Sequence, residues 1–150
     1  MSNDVELDAQ VCAVLTEARN FLSGPEKWTR DTLFRDEKGA DPRLRSDSSR
    51  VPLDDVCQAC LLGAISIGIS RVEGRTEVRD YRSDYMDFEH RSLFKRATHV
   101  LEDAIDHRLG HPAWVANFND APDTMFEDVA AVLNDAKAAA CAGLHSSSKE

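Results

Sequence analysis

Val56-Cys57-Gln58-Ala59-Cys60-Leu61-Leu62-Gly63-Ala64-Ile65-Ser66-Ile67-Gly68-Ile69 is apolar almost all round. A helix without a polar face is one surrounded by other elements, so this stretch predicts the central member of a helical bundle. Pro52 suits a first helical turn, and Asp54 and Asp55 suit the positive end of a helix dipole. The helix is therefore expected to start near Pro52. Gly63 and Gly68 each cost about 1 kcal/mol of helix propensity against alanine, and close approach of a neighbouring helix would explain them. A buried strand over 64–69 is the rival reading. At about fourteen residues the run is shorter than the roughly twenty needed to span a bilayer, and no membrane association is expected.

Outward from this segment, three further amphipathic helices are legible. Leu7, Val11, Val14, Leu15, Ala18 and Leu22 recur at three- and four-residue spacing over 4–22, with Asn3 and Glu6 as a capping box. Ser23-Gly24-Pro25 stops that helix. Phe94, Ala97, Leu101, Ala104 and Ile105 form one stripe over 87–109, ended by Gly110-His111-Pro112. A short aromatic link, 114–122, leads to a last helix. Thr124 and Glu127 are read as its capping box, and Phe126, Val129, Ala130, Leu133, Ala136 and Ala140 as its buried side. Residues 25–50 and 71–87 are polar and rich in turn signals, the first pinned by Trp28 with a hairpin about Gly39. The fold class expected is all-α: a compact bundle of about four helices with two long irregular connections. It forms one domain over 1–144, followed by a disordered tail over 145–150.

The 150 residues carry 27 acids against 18 Lys and Arg, a net charge of −9. A nucleic-acid binder takes most of its affinity from clustered bases that neutralise phosphate. The bulk balance is against that here, and in the one basic-aromatic run Arg71, Arg75, Arg79 and Arg82 alternate with Glu73, Glu77, Asp80 and Asp84, so no nucleic-acid partner is expected. Met1-Ser-Asn-Asp-Val-Glu has neither a basic n-region nor an apolar run. The expected location is the cytoplasm, where four cysteines stay reduced.

Three segments in order, Trp28-Thr29, Cys60-Leu61-Leu62-Gly63-Ala64 and Phe118-Asn119-Asp120-Ala121-Pro122, make the chain resemble an uncharacterised family of small helical bacterial and phage proteins. The resemblance covers most of the chain apart from 71–92 and the tail. It implies a compact helical domain and an accessory gene of a phage or other mobile element. The family has no assigned activity, so no catalytic residue is carried over.

Cys57-Gln58-Ala59-Cys60 has the spacing of a redox dithiol. With the helix starting near Pro52 and no strand before it, the pair lacks the helix N-terminus that lowers a thiol pKa. Cys12, Cys57, Cys60 and Cys141 together are an alternative zinc set; the reading adopted is that all four are small reduced core residues, with no metal and no cofactor. His107 and His111 have i, i+4 spacing without the glutamate of a zinc protease, and Gly110 separates them. Asn119 and Asp120, with Trp28, are the candidate pocket: one amide and one carboxylate in a partly buried turn whose polar groups need partners. Arg75, Arg79, Tyr81, Arg82, Tyr85 and Met86 form the candidate partner-binding arm, because Arg, Tyr and Met are enriched at interfaces. The function expected is a non-enzymatic, acidic helical protein that binds and regulates or inhibits a protein partner, or forms a homodimer. The alternative is a small metalloprotein or enzyme with its site near Cys57, Cys60, Asn119 and Asp120.

Overall fold

The computed structural model describes residues 2–45, 50–79 and 88–148. Five α-helices are present among them: α1 (Ser2–Phe21), α2 (Leu61–Val72), α3 (Phe88–Leu109), α4 (Val115–Asp120) and α5 (Phe126–Ser148). Helix α1 packs on α2 and α5, and α3 packs chiefly on α5, while the short α4 bridges α2 and α3. The stripes read from the sequence are the core: Val11, Val14, Leu15, Ala18 and Leu22 of the first segment, Ala97, Leu101 and Ile105 of α3, and Val129, Leu133 and Ala136 of α5 are buried. Helix α2 lies among them, with Leu61 and every residue from Gly63 to Ser70 buried. The strand alternative for 64–69 is thereby excluded. No helix of the described residues is long and apolar enough to cross a membrane.

Four two-residue strands correct the all-α expectation to a mainly α fold. Strand β1 (Phe34–Arg35) pairs antiparallel with β3 (Gln58–Ala59), Phe34 opposite Ala59. Strand β2 (Val51–Pro52) pairs antiparallel with β4 (Glu77–Val78), Val51 opposite Val78. Strands β3 and β4 flank α2 on either side in sequence, so the two ladders fasten the first connection to both ends of the central helix. Each also carries isolated apolar groups into the core: Phe34 and Val78 are fully buried and Val51 nearly so. Such pairs lack the alternating pattern that marks a longer strand, which is why periodicity missed them.

The start of α2 is the second correction. Leu53–Asp55 form only a 3-10 turn. The chain then extends through β3, and Cys60 caps a helix that begins at Leu61, its Sγ accepting the Gly63 N–H at 3.4 Å. The proline and aspartates do start a helical turn, but pairing with β1 pulls the next residues straight. The hairpin expected about Gly39 is a tight turn instead, in which Asp36 Oδ1 accepts the N–H groups of Lys38 and Ala40, while β1 finds its partner in β3. At the last helix the cap falls one residue later than Thr124 and Glu127 suggest. Phe126 is the first helical residue, and Asp128 Oδ2 accepts the Met125 N–H at 2.9 Å. That bond, together with Arg108, holds the Asp128 carboxyl below its ordinary pKa. Helix α5 runs to Ser148.

The two glycines of α2 are explained by close approach, each to a different neighbour. A Cβ on Gly68 would stand 2.5 Å from the Val14 carbonyl oxygen of α1, and one on Gly63 would meet the Leu33 backbone, a loop rather than a helix. Backbone atoms cannot swing aside as a side-chain tip can. Gly68→Ala is therefore expected to destabilise the fold by about 2 kcal/mol, overpacking outweighing the propensity gain. Equilibrium urea unfolding measures it, and a stabilised variant would show that α1 and α2 are less tightly apposed.

Candidate functional site

The three segments that carry the family resemblance meet at one side chain. Asn119, in the last turn of α4, is 1% exposed. Its Oδ1 accepts from Trp28 Nε1 at 2.8 Å and from the Leu61 N–H at 3.0 Å. Its Nδ2 donates to the Thr29 carbonyl at 3.1 Å and to Asp120 Oδ1 at 2.9 Å. An amide has two donors and two acceptor sites, so the capacity of Asn119 is fully used. One side chain thus ties the Trp28 segment, the first N–H of α2 and α4 together.

Trp28 is held on two further sides, with the Phe126 ring 6.5 Å from its own and the Arg30 guanidinium 4.4 Å over its face. Arg30 also donates through Nη2 to the Thr124 carbonyl at the approach to α5. Arg35 Nε donates to Thr29 Oγ1 at 2.6 Å. Asp120 Oδ1 accepts the Asp31 N–H at 2.9 Å, and Asp31 holds a left-handed φ of 69°. That conformation is uncommon outside glycine but reached by aspartate, and here the carboxylate of a residue 89 positions away anchors it.

Asn119 and Asp120 line a cavity of about 330 Å³ with Asp31, Asp41, Arg43 and Cys60. Trp28 lies behind Asn119 rather than in the wall. Burial alone would raise the Asp41 carboxyl, but hydrogen bonds and charge from Arg43, with the Thr32 hydroxyl, outweigh it and hold the pKa below the ordinary value. Arg43 Nη2 lies 2.8 Å from Asp41 Oδ2, and Thr32 Oγ1 donates to the same oxygen at 3.1 Å. The polar groups of this wall bind one another. Asp41 is met by Arg43 and Thr32, and Asp120 by Asn119 and Asp31.

The cysteines separate into two kinds. Cys12 on α1 and Cys141 on α5 form a disulfide, which corrects the expectation of four reduced thiols and removes two ligands from the alternative zinc set. Cys57 and Cys60 are in no disulfide. Gln58 and Ala59 between them are strand, which sets the two Cα atoms about 10 Å apart at three strand rises. A disulfide needs Cα atoms within about 7 Å, so this C-x-x-C cannot close without unpairing β3. Among the described residues no group of three or more His, Cys, Asp or Glu side chains is placed to hold a metal ion. His107 and His111 are both exposed, with Gly110 at φ +80° between them, and His90 Nε2 lies 2.7 Å from Glu73.

The candidate arm is only partly visible. Tyr81, Arg82, Tyr85 and Met86 lie outside the described residues. Arg75 is exposed and pairs with Glu73 at 2.7 Å, and Arg79 is half-buried. The beginning of the segment is structural: Arg71 and Val72 belong to α2, and Val78 is fully buried in its pairing with Val51. Residues 71–78 are therefore part of the domain rather than a removable loop.

The sequence reading missed Trp114. The first residue of the aromatic link, it is 71% exposed. It occupies the N-cap of α4 and makes no side-chain cap hydrogen bond. Beside it, between the second half of α3 and α4, runs a groove of about 730 Å³ lined in part by Leu109, Glu102, Asp106 and Asp123. Leu109 is 40% exposed, and Met125, preceding α5, is 58% exposed. The missed signal is a tryptophan at a helix start, where Ser, Thr, Asp or Asn is the usual occupant.

These features define a small, mainly α domain held by a disulfide and one buried amide. The chain belongs to the Family of unknown function (DUF6197), whose model matches residues 7–139 and so spans all three converging segments. No curated protein matches it, and no solved structure does.

Proposed function

We propose that the protein is a non-enzymatic binding module that regulates or inhibits a protein partner, and that the partner docks on the Trp114 face. The observation that carries this is Trp114 itself. Tryptophan is a poor N-cap, and its large apolar surface faces water, so the residue stabilises neither the helix nor the core. Positions that break local rules without a structural return are where functional sites are expected. Trp is also among the residues that dominate binding energy at protein interfaces. The alternative, a small metalloprotein or enzyme near Cys57, Cys60, Asn119 and Asp120, is less favoured. Asn119 and Asp120 are engaged in holding segments together, and Cys57 and Cys60 are separated by a strand.

Trp114→Ser tests the reading. Serine is a good N-cap, worth about 1 kcal/mol over a residue that cannot cap. The thermal midpoint should stay within about 3 °C of the parent or rise. Affinity capture from cells that carry the gene should recover a partner with the parent chain and lose it with the variant. A partner retained in full by a folded Trp114→Ser chain would move the interface elsewhere, the Arg75–Arg79 end being the next surface to mutate.

A further inference from the structure

The groove beside Trp114 also states what kind of segment it takes. Glu102, Asp103 and Asp106 on α3 and Asp123 before α5 line it, and no lysine or arginine among the described residues does. Among the described residues, His99 and His111 are the only basic types in its wall. The same wall carries exposed apolar surface from Leu109, Pro112 and Trp114. Carboxylates that share a wall without a counter-charge repel one another. The Glu102 carboxyl has its pKa raised chiefly by burial; His99 opposes the rise, and the charges of Asp106 and Asp103 add to it. Elsewhere several acids have a basic partner: Asp41 has Arg43, Asp128 has Arg108, Glu17 has Arg71 and Asp8 has Arg96.

We infer that this groove binds a cationic amphipathic segment of the protein partner, whose Arg or Lys heads meet the acidic wall while its aliphatic groups cover Leu109 and Trp114. Charge complementarity selects the class. An anionic segment would add negative charge to an acidic wall. A neutral apolar one would bury its carboxylates without supplying a counter-charge, which is costly, although Asp106 keeps the Ala113 N–H. Guanidinium groups also stack on an exposed indole face. The inference rests on the proposal that the Trp114 face is the docking surface.

Three labelled twelve-residue peptides test it by fluorescence anisotropy against the full chain. The first combines Arg and Leu in a helical amphipathic pattern, the second replaces each Arg by Glu, and the third replaces each Leu by Ser. The Arg/Leu peptide should bind at least tenfold more tightly than either other. The double variant Glu102→Gln, Asp123→Asn should weaken it at least tenfold. Glu37→Gln with Asp54→Asn removes two exposed acids that do not line the groove, at the same net charge, and should change affinity less than threefold. Equal weakening by the two double variants would show attraction to bulk charge and overturn the groove assignment. Equal binding of the Glu and Arg peptides would overturn the cationic class. If Trp114→Ser loses the native partner while the Arg peptide shows no preference, the face stands and the ligand class falls. If Trp114→Ser keeps that partner, the face itself falls.

Discussion

Asn119→Ala is expected to lower the unfolding free energy by about 4 kcal/mol, because a buried polar group left without its partner costs about 1–3 kcal/mol. The substitution orphans three such groups at once: Trp28 Nε1, the Leu61 N–H and the Thr29 carbonyl. In a chain of this length the loss corresponds to a fall of about 12 °C in the thermal midpoint. Asn119→Asp separates the two halves of the amide. It keeps an oxygen for Trp28 and Leu61 but sets a carboxylate where Nδ2 lay 2.9 Å from Asp120 Oδ1. The introduced carboxyl would have a folded-state pKa raised by that repulsion and by burial. Its penalty should therefore be present above the folded pKa and relieved as pH falls through it. A loss below about 1 kcal/mol for Asn119→Ala, typical of a single exposed hydrogen bond, would show that water replaces the amide and that the three segments are held by other contacts.

Reducing the Cys12–Cys141 bond is the second large effect. The two residues are 129 positions apart, so the cross-link closes almost the whole chain. Loop-closure entropy assigns such a bond about 5 kcal/mol, through its effect on the unfolded state. Urea unfolding of oxidised protein, reduced protein and the double variant Cys12→Ser, Cys141→Ser measures it. The reduced protein and the variant should agree with each other and fall below the oxidised chain. Cys57→Ser should show no comparable loss, since Cys57 closes no loop. Thiol titration of denatured, unreduced protein should find two free thiols per chain. Four would remove the bond and with it the expected stability difference. The cross-link joins α1 to α5, so its loss should be felt first where the two chain ends pack.

The two effects act at opposite places. The disulfide limits the unfolded ensemble and ties the termini. Asn119 acts in the native state and positions the start of α2, the Trp28 segment and α4. The Trp114 groove begins at the N-terminus of that same α4. A chain lacking the Asn119 bonds should therefore present Trp114 less precisely placed against α3, so partner binding should fall together with stability in Asn119→Ala and fall without a loss of stability in Trp114→Ser.

Periodicity alone specified much of this protein. The stripes of α1, α3 and α5 are visible because a helix repeats every 3.6 residues and buries one side. The all-apolar run through Ile69 is visible because only a surrounded helix tolerates it. Gly110 with Pro112, and Ser23-Gly24-Pro25, mark stops by their own backbone restrictions. These are local properties, carried by residues within a few positions of one another. What the tertiary structure decided depends on groups distant in sequence. Cys60 rather than Pro52 starts α2 because β3 pairs with β1, more than twenty positions earlier. Asn119 finds partners 58 and 91 positions away, Cys12 joins Cys141, and Trp114 is left facing water at the start of α4. Each of these choices was made when segments with no periodic signal were brought together by the packing of those that have one, and short-range spacing holds no record of which distant backbone group will be in reach.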